Sequence, residues 1–144
     1  MAFQSCTLEG IYVLRWGKTP EIGDVDRYAA EVMAAREHQG QPLVGLIIMP
    51  KDSLAPDGAF RKAQAARLPD IMSNLKYAIC VFEGEGFMAS LKRSALVGIL
   101  LLSPRRFPVH VRASVEEALL TNPPEPTQFN VPLLMAELKR RALF

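Results

Sequence analysis

Asp52 and Ser53, followed by Asp57, come nearest in this sequence to a nucleophile with acidic neighbours. A serine attacks only when a base takes its proton, and the chain has two histidines, His38 and His110. His38 stands in the tail of a predicted helix, just before Gly40, where a basic side chain favours the negative helix end. His110 sits in the middle of a predicted strand beside Arg112. Neither is expected at the loop that carries Ser53, so no triad and no catalytic residue is expected. Gly84-Glu85-Gly86 precedes a helix, the place where backbone N–H groups cradle a phosphate. A bare Gly-x-Gly is weak evidence, and Glu83 and Glu85 repel an anion. The turn is therefore read as a tight connection that brings a helix close to the sheet, and no cofactor is expected. Cys6 and Cys80 lie in apolar, strand-like stretches. Two cysteines are too few for the disulfide framework of a small secreted protein, so they are read as thiols in a reducing, cytoplasmic setting. Two histidines and two cysteines without close ligand spacing leave no zinc site.

The elements that must position these residues follow from composition and period. The chain has 144 residues, 49% of them hydrophobic, and a net charge of +2. A folded chain of this length buries roughly 70% of its unfolded surface, enough for one core. The basic residues form no stripe, so no nucleic-acid partner is expected. The longest apolar run, Ala95 to Leu102, is far short of the ~20 residues of a membrane span. Residues 1–6 lack a positive cluster and an apolar stretch, so a signal peptide is not expected.

Phe3 to Leu8 and Ile11 to Trp16 read as a hairpin turning at Glu9-Gly10. Thr19 is the expected N-cap of a first helix with Pro20 at its first position. Ile22, Val25, Tyr28, Ala29, Val32 and Met33 form its inward stripe, and Gly40 is its stop. Leu43 to Met49 and Tyr77 to Phe82 are apolar at both parities, which suits central, parallel strands. Between them Asp57 caps a second helix with Phe60, Ala63, Leu68, Ile71, Met72 and Leu75 inward and a kink or split at Pro69. Phe87 to Ser103 is a third helix, stopped by Pro104. Phe107 to Arg112 is a strand that lies at an edge or has Pro108 facing outward, because Pro108 cannot donate to a ladder. Ser114 to Glu117 is a capping box. A proline-rich linker over 122–127 leads to a last amphipathic helix, Pro132 to Ala142. The expected fold is α/β: a mixed, mostly parallel sheet of about five strands with helices packed on it, over residues 1–121, followed by linker and helix over 122–144.

This order resembles the STAS domain, named for sulfate transporters and anti-sigma-factor antagonists, and more closely its small stand-alone bacterial relatives. The segments that carry the likeness are Val13-Leu14-Arg15-Trp16-Gly17-Lys18-Thr19, the Leu43–Met49 strand, Val81-Phe82-Glu83-Gly84-Glu85-Gly86-Phe87 and Val111-Arg112-Ala113-Ser114-Val115-Glu116-Glu117-Ala118. The resemblance implies regulation through protein–protein contacts and no catalysis. It also implies a phosphorylated serine in an Asp-Ser-Ser-Gly motif, which this chain lacks. With Gly58 aligned to the motif glycine, Pro56 and Asp57 fill the serine positions, and Ser53 is out of register. The strand C-terminal edge, with Thr19, Asp52, Ser53, Asp57 and Glu85, remains the expected place for any ligand or modification, Ser53 being the first hydroxyl to consider.

The third helix is apolar nearly all round. Phe87, Leu91, Ala95, Gly98 and Leu102 are read as inward, and Lys92 and Arg93 as solvent-facing. Leu96, Val97 and Leu100 then need a cover, either the last helix through Leu134 and Leu138 or a second protein. The expected partner is a second copy of the chain, another protein, or both. A pocket for an apolar small molecule or lipid between helix and sheet is the alternative. Arg105-Arg106 and Lys139-Arg140-Arg141 are read as solvated basic clusters, with an acidic partner or anionic membrane surface as the other reading.

Overall fold

A computed structural model describes residues 3–8, 10–54, 57–102, 107–120 and 131–143. Glu9 of the hairpin turn, Pro56, the side chain of Leu102, the helix stop at Pro104, the Arg105-Arg106 cluster and the linker over 122–127 lie outside that description.

β1 (Phe3–Leu8) and β2 (Ile11–Trp16) pair antiparallel, with Cys6 opposite Val13. The chain then alternates: α1 (Ile22–Gln39), β3 (Leu43–Met49), α2 (Gly58–Met72), β4 (Leu75–Phe82), α3 (Phe87–Leu102), β5 (Val109–Arg112). β2 to β5 are parallel, and the five strands lie in chain order. Three crossovers stepping the same way across a parallel sheet, each right-handed, must put their helices on one face. That face holds Tyr12, Leu14 and Trp16 of β2 against Val25 and Tyr28 of α1, Phe60 and Leu68 of α2 and Ile99 of α3. The other face is left for the C-terminal part of the chain. α4 (Val115–Leu120) and α5 (Val131–Arg140) cover it, burying Val115, Leu119, Leu134 and Leu138 on Ile11, Val13, Leu46 and Ile79. β3 and β4 are adjacent within the sheet and covered on both faces, as the apolar runs Leu43–Met49 and 77–82 require, with Lys76 exposed at the start of β4.

Several local expectations are corrected. The N-cap of α1 is Glu21, not Thr19: the Glu21 side chain accepts from the third helical N–H, and Asp24 returns the contact to the Glu21 N–H at 2.7 Å. Ile22 and Met33 are exposed, so the inward stripe narrows to Val25, Tyr28, Ala29 and Val32. Pro69 does not split α2. It stands in the last turn, where the helix runs on only to Met72. Leu75 belongs to β4 rather than to α2. Gly40 does end α1 in the left-handed region, Asp57 does cap α2 by accepting from the Phe60 N–H at 2.8 Å, and Ser114 accepts from the Glu117 N–H at 3.0 Å. Among the described residues no helix is long and apolar enough to cross a membrane.

Candidate functional site

The loops after β2, β3 and β4 share the carboxyl edge of the parallel strands, where ligands of open α/β sheets bind. Here they are laced together. The Ser53 hydroxyl donates to the Gly17 carbonyl at 2.7 Å, and the Leu54 N–H donates to the Lys18 carbonyl at 2.8 Å. The Ser53 N–H returns to the Pro50 carbonyl at 3.1 Å, and the Glu83 N–H reaches the Met49 carbonyl at 3.0 Å. Gly84 has φ +93°, and a Cβ there would lie 2.9 Å from that of Lys51, so the turn after β4 presses directly on the loop after β3. Gly86, at φ +84°, is also left-handed. Both are conformations that glycine adopts without strain.

The fastener of this edge is Lys92. It is 1% exposed, although it is one of only two charged residues in α3. Its Nζ donates to the Pro50 carbonyl at 2.9 Å and to the Lys51 carbonyl at 3.2 Å. Burial pushes the amine below the usual lysine range, and the charge of Asp52 nearby pulls it partly back. Beneath it lies a cavity of about 40 Å³ between sheet and helices, lined among others by Trp16, Gln64, Cys80, Lys92, Leu96 and Ile99. That is room for water-sized molecules, against ~300–1,000 Å³ for a ligand pocket.

The residues expected at this edge are there, and each has a local role or none. Asp57 is a helix cap. Ser53 is 2% exposed with its proton committed to a carbonyl, so a kinase or acylating group reaches it only if the loop opens. Thr19, Asp52 and Glu85 are exposed. His110 stacks edge-on to Tyr77 at 5.8 Å, and His38 is exposed near the end of α1. Neither is brought to Ser53. Cys6 and Cys80 are free thiols on opposite faces of the sheet, with β2 and β3 between their strands, so they cannot join without dismantling it. Burial pushes the Cys80 thiol up to about 12. Among the described residues no group of three or more His, Cys, Asp or Glu side chains is placed to hold a metal.

A second polar cluster, unread in the sequence, joins β1, β2 and α1. Glu31 accepts from the Tyr12 hydroxyl at 3.0 Å and from the Ser5 hydroxyl at 3.1 and 3.2 Å. Burial, and then the Glu31 charge, hold Tyr12 protonated far past its usual range. The carboxylate is already engaged by both hydroxyls, and it lines two solvent-open clefts of about 360 and 380 Å³, one toward His38 and one toward Arg27 and Arg141.

The face of α3 is the main revision. Ala89, Lys92, Ala95 and Ile99 are the buried side, and Leu96 and Leu100 are half-buried beside them, Leu96 on the cavity and Leu100 on the core. Outward stand Phe87 (78% exposed), Leu101 (80%) and Val97 (54%), with Met88 and Leu91 also exposed. Of the five residues read as an interface, Val97 alone is exposed. Leu134 and Leu138 are core residues on the opposite sheet face, so α5 does not cover α3.

No protein-family model matches the chain, and neither a curated protein nor a solved structure does. The STAS resemblance therefore rests on the quoted segments and the order of elements.

Proposed function

We propose that this protein is a non-enzymatic interaction module, regulatory or scaffolding in role and STAS-like in kind, that self-associates through the outer face of α3 in the bacterial cytoplasm. The observation that carries this reading is the exposed apolar stripe Phe87, Leu91, Val97 and Leu101 on one face of the helix. It leaves roughly a few hundred Å² of apolar surface wet, the size of the largest patch on an ordinary monomer, which is often functional. The laced carboxyl edge supports the non-enzymatic half: its buried serine spends its proton on a carbonyl, and the cavity below is water-sized. Two free thiols kept apart on opposite sheet faces suit a reducing compartment.

A carrier of an apolar molecule is the second reading, favoured by Leu96 facing the cavity between helix and sheet. At about 40 Å³ that cavity must open several-fold before it holds a lipid.

The test is the mass in solution of the 16.0 kDa chain and of its Phe87→Lys, Leu101→Lys double variant. Light scattering at tens of micromolar is expected to give twice the chain mass for the wild type and the single-chain mass for the variant. Thermal stability of the variant chain itself should stay nearly unchanged, because both positions are exposed. A variant that keeps the wild-type mass removes the outer face of α3 from consideration.

A further inference from the structure

We infer that two copies of the chain pair antiparallel through α3, on a two-fold axis that passes by Ser94; this rests on the self-association proposed above and assigns its geometry. An isologous contact requires a surface that complements itself under a half-turn. Counting outward from Ser94, the residues of α3 meet that requirement. Phe87 falls opposite Leu101 of the other copy and Leu91 opposite Val97, each pairing two exposed apolar side chains. Ser90 falls opposite Gly98 and Ser94 opposite itself. These three small residues, one helical turn apart, make a shallow seam flanked by larger apolar side chains, which lets two helix backbones approach closely.

Within that seam Gly98 adds a further argument. Glycine inside a helix is destabilising relative to alanine, so it calls for a reason. Among the described residues of the protomer nothing supplies one. A Cβ at position 98 would meet only the far end of Arg61, at 3.8 Å, an ordinary contact. A second helix laid along the seam does supply one. α3 itself carries two charged residues, Lys92, which is buried, and Arg93, which is half-buried, and among the described residues the one cation that reaches the seam from another element is Arg61 of α2, beside Gly98. A standard interface buries ~800 Å² per partner, and Phe87, Leu91, Val97 and Leu101 with the seam between them supply part of that.

Cysteine cross-linking of the full-length protein tests the pairing, with linked peptides identified by mass spectrometry so that native Cys6 and Cys80 stay in place. Positions 87 and 101 lie 14 residues apart, roughly 21 Å along the helix. Ser94→Cys alone is expected to link to itself. Phe87→Cys mixed with Leu101→Cys is expected to link at least tenfold faster than either variant alone. Gly98→Leu should weaken association at least tenfold while leaving the monomer folded. If Phe87→Cys links to itself as fast as in the mixture, or a dimer of correct mass forms without these links, the antiparallel pairing is overturned and self-association stands. If the wild type is a single chain at every concentration tested, both fall.

Discussion

Lys92→Ala is expected to cost about 3 kcal/mol and to lower the melting temperature by roughly 10 °C, a large effect for a lysine. The buried stem leaves a void that merges with the adjoining cavity, and the Lys51 carbonyl loses its donor. The Pro50 carbonyl keeps the Ser53 N–H, so it is not orphaned. Lys92→Met restores the stem without the donor and should recover most of the loss, to about 1 kcal/mol. Lys92→Glu sets a buried anion against two carbonyl oxygens beside Asp52, and on the order of 5 kcal/mol is lost, enough to unfold a marginal domain. Chemical denaturation of the three variants checks the order. An alanine variant as stable as the wild type would mean that the loop is not fastened here.

The same residue has a signature in pH. Its folded-state amine is held below the ordinary value of 10.5, so the unfolded chain binds the proton more tightly. Its contribution to stability therefore rises with pH between the folded value and 10.5. Cys80 acts the other way. Its thiol is raised from 9.0 to about 12 on folding, so its contribution is full below 9 and is lost as pH climbs through that window. Subtracting the Lys92→Met curve from that of the wild type isolates the rising limb.

Trp16→Ala should cost about 4 kcal/mol. This is the only tryptophan, and it sits among Phe3, Tyr28 and Phe60 with ring centroids 5.7, 6.0 and 5.6 Å away. Edge-to-face packing of this kind adds to the large apolar area each ring buries. The void joins the existing cavity, and the expected consequence is a site that takes indole: added indole raises the melting temperature of the variant and leaves that of the wild type unmoved. A variant that melts within about 2 °C of the wild type would contradict this core. A wild type stabilised by small aromatic molecules would favour the carrier reading.

The period of the strands makes most of this architecture legible. β3 and β4 are apolar at both parities, and only burial on both faces accommodates that. β2 alternates, and its Tyr12, Leu14 and Trp16 do face α1 and α2 while Ile11 and Val13 face the other layer. The α3 face is not legible, for a physical reason. In a helix apolar nearly all round, the period has little contrast, and charged residues decide the orientation. A lysine in such a helix reads as solvent-facing, whereas the stem of Lys92 lies in the core and its amine answers two carbonyls of another element. Turning the helix to bury Lys92 exposes Phe87 and Leu101. The side on which α5 packs is a matter of topology. Once three same-handed crossovers fill one face of the sheet, a later helix has the other face to cover. The carboxyl edge follows from the parallel strands as a location, but a sequence does not show that Ser53 is buried and bonded to Gly17.

Hydroxyl-radical labelling during concentration tests most directly whether the outer face of α3 is a protein contact. Phe87 lies on that face and Met33 on α1, and both are exposed in the single chain, 78% and 48%. From about 1 to about 100 µM, mass action should drive the chains together. Labelling of Phe87 is predicted to fall several-fold over that range while that of Met33 stays constant. If the labelling of Phe87 stays as constant as that of Met33 throughout, the stripe is a wetted surface and the account fails.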